Sequence, residues 1–386
     1  MNVPKLRFKE FNDEYKSIKL KAVSEIYDGT HETPNYVEKG VKFVSVENIS
    51  NLLDTTKFIP ESDYNKYKIK PKYNDVFMTR IGDIGTSSIY KSDEKLAYYV
   101  SLALLRTKDN HILIPDYLNQ YIKNNSFQKE LYNRTIHVAF PKKINTGEIG
   151  ECSINLCSDK EQLKVSNFLS LLDKKIELQF KKIEDLKLFK KGHINHIIEN
   201  NEIEKISLKN ILVEQNNKTS KNNEYEILSS TSKGIYLQKD YFNKQAASDN
   251  NVGYKILKKN QLVLSPQNLW MGNINVNTEY NIGIVSPSYK IFNISNNINI
   301  DFFNYWIKSP KALFEYKISS EQGASIVRRN LNMDLFYEII VDVPRGKLQN
   351  KVGKIIKLLN LNIQYNEFLL QKLSELKKGL MQNMFV

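Results

Sequence analysis

Two stretches of the sequence nearly repeat each other. Residues Glu184–Ile197 read EDLKLFKKGHINHI, and residues Ser374–Phe385 read SELKKGLMQNMF. When Gly192 is aligned with Gly379 (379 − 192 = 187), the apolar positions upstream coincide without gaps. Self-similarity at one fixed offset indicates that the architecture is built twice.

The coinciding apolar positions have the spacing of a coiled-coil seam. They recur at intervals of 3, 4, 7 and 3 residues, which is the a/d pattern of a heptad. We therefore predict two long helices, each with one narrow apolar stripe, called here the seam. The seam residues are Leu169, Leu172, Ile176, Ile183 and Leu186 in the first helix and Ile356, Leu359, Ile363, Leu370 and Leu373 in the second.

The repeat continues outside the helices. KSIKLKAV resembles EKISLKNI, with Ile18 matching Ile206 (206 − 18 = 188). PDYLNQYIK resembles IDFFNYWIK, with Lys123 matching Lys308 (308 − 123 = 185). The order of these segments is the same in both halves, which predicts a globular domain followed by a long helix, twice.

Between these repeated segments the sequence pattern predicts short strands. Segments such as VKFVSVENI and NQLVLSP are rich in β-branched and aromatic residues and are bounded by Gly, Asn and Asp. The predicted fold class is α+β, with two similar domains, two long helices forming an antiparallel coiled coil and a pseudo-two-fold internal repeat. The predicted boundaries are 1–157 for the first domain, 158–200 for the first helical spacer, 201–344 for the second domain and 345–386 for the second spacer.

A narrow apolar stripe needs a partner, and the matching stripe in this chain is the other helix. If the two halves are related by a pseudo-two-fold axis, the helices run antiparallel and the residue nearest the axis meets its own equivalent. Gln179 and Asn366 are such equivalents (366 − 179 = 187), and both interrupt the seam with a carboxamide. We predict that they hydrogen-bond to each other and fix the register of the coiled coil.

The charge balance favours a polyanionic partner. The chain carries a formal net charge of +13, and Lys and Arg gain affinity for nucleic acid by displacing condensed counterions. An AT-rich genome, which favours Lys and Asn codons, is the alternative explanation. Two cysteines in 386 residues fit a reducing cytoplasm, and we expect a cytoplasmic protein with no secretory signal and no membrane span.

Sequence motifs and helix ends together resemble those of a known family. The stretches DGTHETPNYVEKGVKFVSVENI (Asp28–Ile49) and VFMTRIGDIGTSSIY (Val76–Tyr90), with the ends FKKGHINHI and LKKGLMQNMF, resemble the specificity (S) subunit of type I restriction-modification systems. The resemblance covers essentially the whole chain. It implies two target recognition domains, each reading one half of a bipartite, asymmetric DNA target, with helical spacers that set the gap between the halves.

The resemblance also implies partners and cofactors. An S subunit binds two modification subunits, which are S-adenosylmethionine-dependent adenine-N6 methyltransferases, and restriction subunits that use ATP and Mg²⁺ join that complex. We expect no cofactor in this chain. It has neither an Asp/Asn-Pro-Pro-aromatic loop for a flipped adenine nor a Gly-x4-Gly-Lys-Ser/Thr phosphate loop, so we expect a non-catalytic subunit. Cys152 and Cys157 lack nearby histidines, so no metal site is predicted.

Base-reading and phosphate-binding residues are expected on the loops between strands of the two recognition domains. Basic side chains there are also often merely solvated, and for Arg80, beside the RIGDIG turn, the alternative role is support of the fold. The predicted DNA contacts are Thr30, His31, Arg80, Arg134, Lys142 and Lys143 in the first domain and Lys218, Lys221, Gln267, Asn268, Arg328 and Arg329 in the second.

Other functions remain open from the sequence. A coiled-coil interaction scaffold that does not read DNA would show the same helices. An orphan or phage-borne specificity subunit that redirects a host methyltransferase would show the same domains as well. The target bases and the gap length are not encoded in any readable motif.

Overall fold

The chain folds into two compact units, each of which contains half of both long helices. The computed structural model describes residues 3–241, 250–322 and 329–386. Unit 1 comprises Met1–Lys181 and Phe368–Val386, and unit 2 comprises Lys182–Glu367. Both units are α+β, as predicted.

Unit 1 combines short strands with helices that follow the predicted pattern. Its strands are β1 (Lys16–Lys19), β2 (Ser24–Asp28), β3 (Val41–Val44), β4 (Phe58–Ile59), β5 (Val76–Thr79), β6 (Ser87–Ile89), β7 (Leu96–Tyr98), β8 (Leu102–Thr107) and β9 (Ser153–Leu156). Its helices are α1 (Leu20–Val23), α2 (Glu61–Lys66), α3 (Pro115–Ile122), α4 (Asn125–Arg134), α5 (Thr146–Gly150) and the first part of the long α6 (Asp159–Glu199).

Unit 2 repeats the pattern with its own strands and helices. Its strands are β10 (Ile203–Ser207), β11 (Leu212–Gln215), β12 (Leu228–Thr231), β13 (Gly234–Leu237), β14 (Lys255–Lys258), β15 (Leu262–Leu264), β16 (Ile274–Val276), β17 (Ile282–Val285), β18 (Lys290–Ile294), β19 (Ser320–Gln322), β20 (Arg329–Leu331) and β21 (Ile340–Pro344). Its helices are α7 (Leu208–Ile211), α8 (Gln238–Tyr241), α9 (Ile300–Trp306), α10 (Pro310–Ile318), α11 (Met333–Glu338) and the first part of the long α12 (Lys347–Met384).

The two units contain the same central sheet. Strand order is β2-β8-β5-β6 in unit 1 and β11-β18-β15-β16 in unit 2. Each unit also closes with an antiparallel pair, β1 with β9 and β10 with β21, in which Ile18 pairs with Ile154 and Ile206 with Val341. These paired residues are repeat equivalents, since 206 − 18 = 188 and 341 − 154 = 187. The internal repeat predicted from the sequence is therefore present in the fold.

The long helices end in the cores of different units. Met381, Met384 and Phe385 at the end of α12 pack in the core of unit 1, beside Val165 and Leu169 near the start of α6. In unit 2 the corresponding place is taken by Ile194, because 194 + 187 = 381. Burying such side chains stabilises each unit by about 1.5–3 kcal/mol per residue. The repeated Lys-Lys-Gly stretch thus precedes an anchoring residue in both copies.

Within each unit the two helices run antiparallel. In unit 2, Lys187 contacts Glu367 at 3.0 Å, and Lys190 donates a hydrogen bond to Asn360 at 2.9 Å, so rising numbers on α6 meet falling numbers on α12. In unit 1, Lys377 forms an ion pair with Asp173. The seam residues are buried or half-buried, namely Leu169, Leu172, Ile176, Ile183, Leu186, Ile356, Leu359, Ile363, Leu370 and Leu373.

Asn366 is 1% exposed and donates a hydrogen bond to the carbonyl oxygen of Asn362 at 2.7 Å. Gln179 is half-buried. Their predicted contact with each other stays a prediction. Within residues 3–241, 250–322 and 329–386, no helix combines the length and the apolar character needed to cross a bilayer.

Candidate nucleic-acid interface

Strand β5 of unit 1 ends in a tight loop, RIGDIG, that requires glycine. Gly82 and Gly85 adopt φ values of 82° and 96°, the left-handed region that favours residues without a Cβ atom. At Gly85 a Cβ atom would also lie 2.6 Å from the amide nitrogen of Gln128. The loop folds back toward a second segment, where the backbone N–H of Gly82 donates to the carbonyl oxygen of Lys142 at 2.8 Å.

Arg80, at the start of that loop, is 6% exposed, and its side chain forms hydrogen bonds within unit 1. Its Nη1 donates to Asp28 Oδ1 at 2.6 Å and to the Val100 carbonyl at 3.2 Å, while its Nε donates to the Ile144 carbonyl at 3.0 Å. Because the guanidinium is buried and already donates to three acceptors within the protein, it has few accessible N–H groups for a phosphate or a base. This placement is at odds with the predicted DNA contact, and Arg80 instead supports the loop.

The segment Ile136–Lys143 forms an exposed loop beside RIGDIG. Its ends are closed by a hydrogen bond from the Ile136 N–H to the Lys143 carbonyl at 2.8 Å. Val138 and Phe140 at its tip are fully exposed, and the neighbouring Lys142 is exposed as well. Within the described residues, neither Lys142 nor Lys143 forms an ion pair. An exposed apolar tip beside free ammonium groups is typical of a binding surface.

Sequence reasoning missed Val138 and Phe140. Both precede the predicted basic pair by two to four residues in VAFPKK, and the second copy has Ile326 and Val327 before its own basic pair. This repeated order of apolar and then basic residues was the available signal. It carries no information on exposure, because an apolar residue beside lysines is equally compatible with a buried strand end.

Two further predicted residues, Thr30 and His31, follow Asp28 closely in the sequence. His31 Nε2 lies 3.8 Å from Asp28 Oδ2, on the same carboxylate that accepts from Arg80. Thr30 is half-buried, and its hydroxyl oxygen accepts from the Glu32 N–H at 3.3 Å. His31 is exposed and available to a partner, so these residues extend the surface around the base of the loop.

Arg134 lies on α4 and is engaged with carboxylates. Its guanidinium contacts Glu148 at 3.0 Å and Glu130 at 4.0 Å. The side chain is half-buried. A DNA phosphate would have to compete with both carboxylates, so Arg134 is less available than Lys142 or Lys143.

Unit 2 builds an equivalent arrangement. Gln267 lies on the loop after β15, and its carbonyl oxygen accepts from the Arg329 N–H at 3.2 Å, much as the Arg80 carbonyl after β5 accepts from the Ile144 N–H at 3.0 Å. Gln267 is exposed and Asn268 is half-buried. Lys218 and Lys221 are exposed on the loop that follows β11. The loop after the third strand of each central sheet thus meets a segment that contains a basic pair.

The second basic pair differs from the first in its environment. The Arg329 guanidinium donates to the Ser320 hydroxyl at 2.9 Å and to the Lys317 carbonyl at 3.3 Å, so it stabilises the pairing of β19 with β20. Arg328 lies outside the described residues. Arg329 is therefore less available to DNA than the sequence suggested.

The described part of the chain shows no cluster of three or more His, Cys, Asp or Glu side chains placed to hold a metal ion. Both cysteines are free thiols. Burial raises the pKa of Cys152 and of Cys157 to about 12, so both are protonated at neutral pH and poor metal ligands.

Comparison with solved structures identifies the architecture. A type I restriction-modification system S subunit from M. genitalium superposes with a TM-score of 0.62, covering 100% of this chain and 99% of its own at 16% identity. The chain has the S-subunit fold. A chain from a structural study of complex assembly and conformational transition in the type I R-M system matches with a TM-score of 0.54, covering 97% of this chain and 98% of its own at 8% identity. No family model matches the sequence.

Proposed function

We propose that this chain is the DNA specificity subunit of a type I restriction-modification complex. Each unit reads one half of a bipartite, asymmetric duplex target, and the paired helices set the gap between the halves. The observation that carries the proposal is the central sheet built twice, in an architecture shared over the full chain length with an S subunit. Two similar recognition domains in one chain suit a DNA target with two separated half-sites.

The DNA-facing surface of unit 1 is proposed to be the loop Ile136–Lys143 with His31. Lys142 and Lys143 contact phosphates, which sets position and affinity. Phe140 contributes an apolar contact of the kind that side chains make with base steps or thymine methyl groups. In unit 2 the corresponding contacts come from Gln267 and Asn268.

Partner subunits supply the chemistry in this proposal. Two modification subunits carry S-adenosylmethionine and methylate adenine N6, and restriction subunits use ATP and Mg²⁺; this chain binds no cofactor of its own and is not itself an enzyme. The complex works on cytoplasmic DNA. Apolar side chains left exposed on the long helices support docking of partners, for example Leu171 and Leu178 in unit 1 and Leu188 and Leu358 in unit 2.

The experiment is a selection of duplexes from a random library by the full chain co-purified with the modification subunits of its own genome. The proposal predicts enrichment of two short half-sites at one fixed separation. The variant Lys142→Ala/Lys143→Ala should bind the selected duplex more weakly and reduce the slope of log affinity against log salt by about two, because each phosphate contact contributes about 0.9.

A matched control is Lys174→Ala/Lys175→Ala on α6, which also removes two adjacent exposed lysines that form no ion pair within the described residues. It should leave the salt slope unchanged. Enrichment of no duplex would favour a scaffold that does not read DNA. Equal slopes for wild type and the Lys142/Lys143 variant would remove the loop from the interface.

A further inference from the structure

Unit 2 contains a large, lysine-rich cavity of about 1290 Å³. It is lined by residues of α6 and α12 on one side and by the β12–β13 hairpin, the β16–β17 connection and α9 on the other. The lysines that line it are Lys190, Lys191, Lys233, Lys259, Lys308, Lys311 and Lys357. Within the described residues Lys311 forms an ion pair with Asp342, whereas the other six lysines form none. Two carboxylates, Glu279 and Asp301, share the lining.

The two most enclosed lysines have only neutral hydrogen-bond partners. Lys308 donates to the carbonyl oxygens of Gly272 at 2.7 Å and Ser232 at 3.1 Å, and Lys190 donates to the side-chain oxygen of Asn360 at 2.9 Å. Burial lowers the pKa of Lys308 to about 8 and also lowers the pKa of Lys190. Both ammonium groups have thus lost hydration without gaining an ion-pair partner, although Lys190 lies 5.8 Å from the centroid of the Tyr305 ring. An anion in the cavity would offset this loss.

In unit 1 the equivalent lysine has a carboxylate as its ion-pair partner. Through the repeat, Lys377 corresponds to Lys190 (377 − 190 = 187) and Asp173 to Asn360 (360 − 173 = 187). Asp173 forms an ion pair with Lys377 and also accepts from Gln120 at 2.8 Å. One copy of the architecture therefore carries its own counter-charge at this position, and the other has a neutral amide there.

We propose that the unit 2 cavity binds a phosphate-bearing anion, which provides the negative charge that Asp173 provides in unit 1. Ammonium groups suit phosphate as point charges, and the amides of Asn360 and Asn304 in the lining add neutral donors. The cavity is far larger than one phosphate ion needs, so the anion is a polyphosphate, a nucleotide or a stretch of nucleic-acid backbone. The proposal does not require that the chain reads a DNA sequence.

The test introduces into unit 2 the carboxylate that unit 1 has at the equivalent position. In Asn360→Asp a carboxylate is placed beside Lys190, as Asp173 is placed beside Lys377, and the cavity should no longer need an external anion. Binding of tripolyphosphate, ATP and a 20-base-pair duplex to the full chain is measured by isothermal titration calorimetry for wild type and variant. The expected result is a loss of at least about tenfold in affinity for the anion that occupies the site.

The charge-matched control is Asn362→Asp, which adds the same charge at an exposed position of α12 that does not line the cavity. It should change affinity much less. Asn360→Ala removes the amide without adding charge and should retain most of the affinity. Circular dichroism confirms that each variant is folded.

The outcomes separate the possible ligands. Loss confined to tripolyphosphate and ATP identifies a free phosphate ligand, and loss confined to the duplex identifies nucleic-acid backbone. Absence of binding to all three ligands, or equal effects of Asn360→Asp and Asn362→Asp, would overturn the proposal. Duplex binding that survives Asn360→Asp while anion binding is absent would overturn it and leave the specificity function intact.

Discussion

Replacing Arg80 with methionine should destabilise unit 1 without changing the electrostatics of DNA binding. The substitution removes two hydrogen bonds to the buried carbonyl oxygens of Ile144 and Val100 and an ion pair with Asp28, whose side chain is 34% exposed. Bonds from a charged donor contribute about 1.5–3 kcal/mol each, and a partly exposed ion pair about 0.5 kcal/mol. Because water can hydrate part of the opened site, we expect a loss of about 3 kcal/mol.

Hydrogen-exchange mass spectrometry measures this loss in one unit at a time. A loss of about 3 kcal/mol speeds exchange of the most protected amides by roughly 100-fold. The increase should appear in peptides from β5 and β8. Peptides from β15 and β18 of unit 2 serve as the internal control and should exchange as in wild type.

The result for Arg80→Met also discriminates between its two possible roles. If Arg80 supports the fold, the salt slope of duplex binding, measured below the melting temperature, stays at the wild-type value. A destabilisation below about 1 kcal/mol together with a slope reduced by about one would show that Arg80 contacts a phosphate, contrary to its placement here.

Three further changes have defined outcomes. Phe140→Ala should leave the free energy of unfolding within about 0.5 kcal/mol of wild type but weaken duplex binding roughly tenfold, measured by fluorescence anisotropy, whereas unchanged binding would exclude Phe140 from the interface. Lys308, with a pKa lowered to about 8, binds fewer protons in the folded than in the unfolded state between pH 8 and its ordinary pKa of 10.5. Its contribution to the stability of unit 2 should therefore rise with pH across that window. Denaturation followed by the fluorescence of Trp270 and Trp306, both in unit 2, should show a smaller rise in Lys308→Met. Cys152 and Cys157, with pKa values raised to about 12, should resist iodoacetamide at pH 8 until denaturant is added, and rapid alkylation of the native protein would contradict their burial.

The architecture could be predicted from the sequence because the same pattern of domain and helix occurs twice in it. A heptad spacing is a local signal, and one fixed offset aligns Leu169 with Ile356 (356 − 169 = 187) without any knowledge of the fold. Strand order followed less directly, since short apolar runs predict strands but not which strands pair. The equivalence of β2-β8-β5-β6 and β11-β18-β15-β16 became visible only in the structure.

The candidate site was less predictable for a physical reason. A basic residue on a loop can face solvent or turn inward, and the outcome depends on acceptors that are distant in sequence. Arg80 turned inward because Asp28 and the Ile144 carbonyl, both far away along the chain, converge on it. Arg329 did so through the Ser320 hydroxyl, whereas Lys142, with no such acceptor in the described residues, stayed exposed.

The cavity of unit 2 could not be anticipated from either copy alone. The substitution of Asp173 by Asn360 between the repeats is visible in the alignment, but a single Asp-to-Asn difference on a helix surface is unremarkable. Its meaning depends on Lys190 and Lys308, which the structure brings to the same cavity. Comparing equivalent positions of the two folded copies shows which one lacks its counter-charge.

The most direct test of the central claim is a map of N6-methyladenine across the genome of cells with and without this gene. If the chain is a two-part reader, the intact strain should show methylation at one bipartite motif, with two defined half-sites at a fixed separation, and the deletion strain should lose that motif alone. An unchanged methylation map in a strain with active modification subunits, or loss of a continuous motif with no gap, would contradict the account.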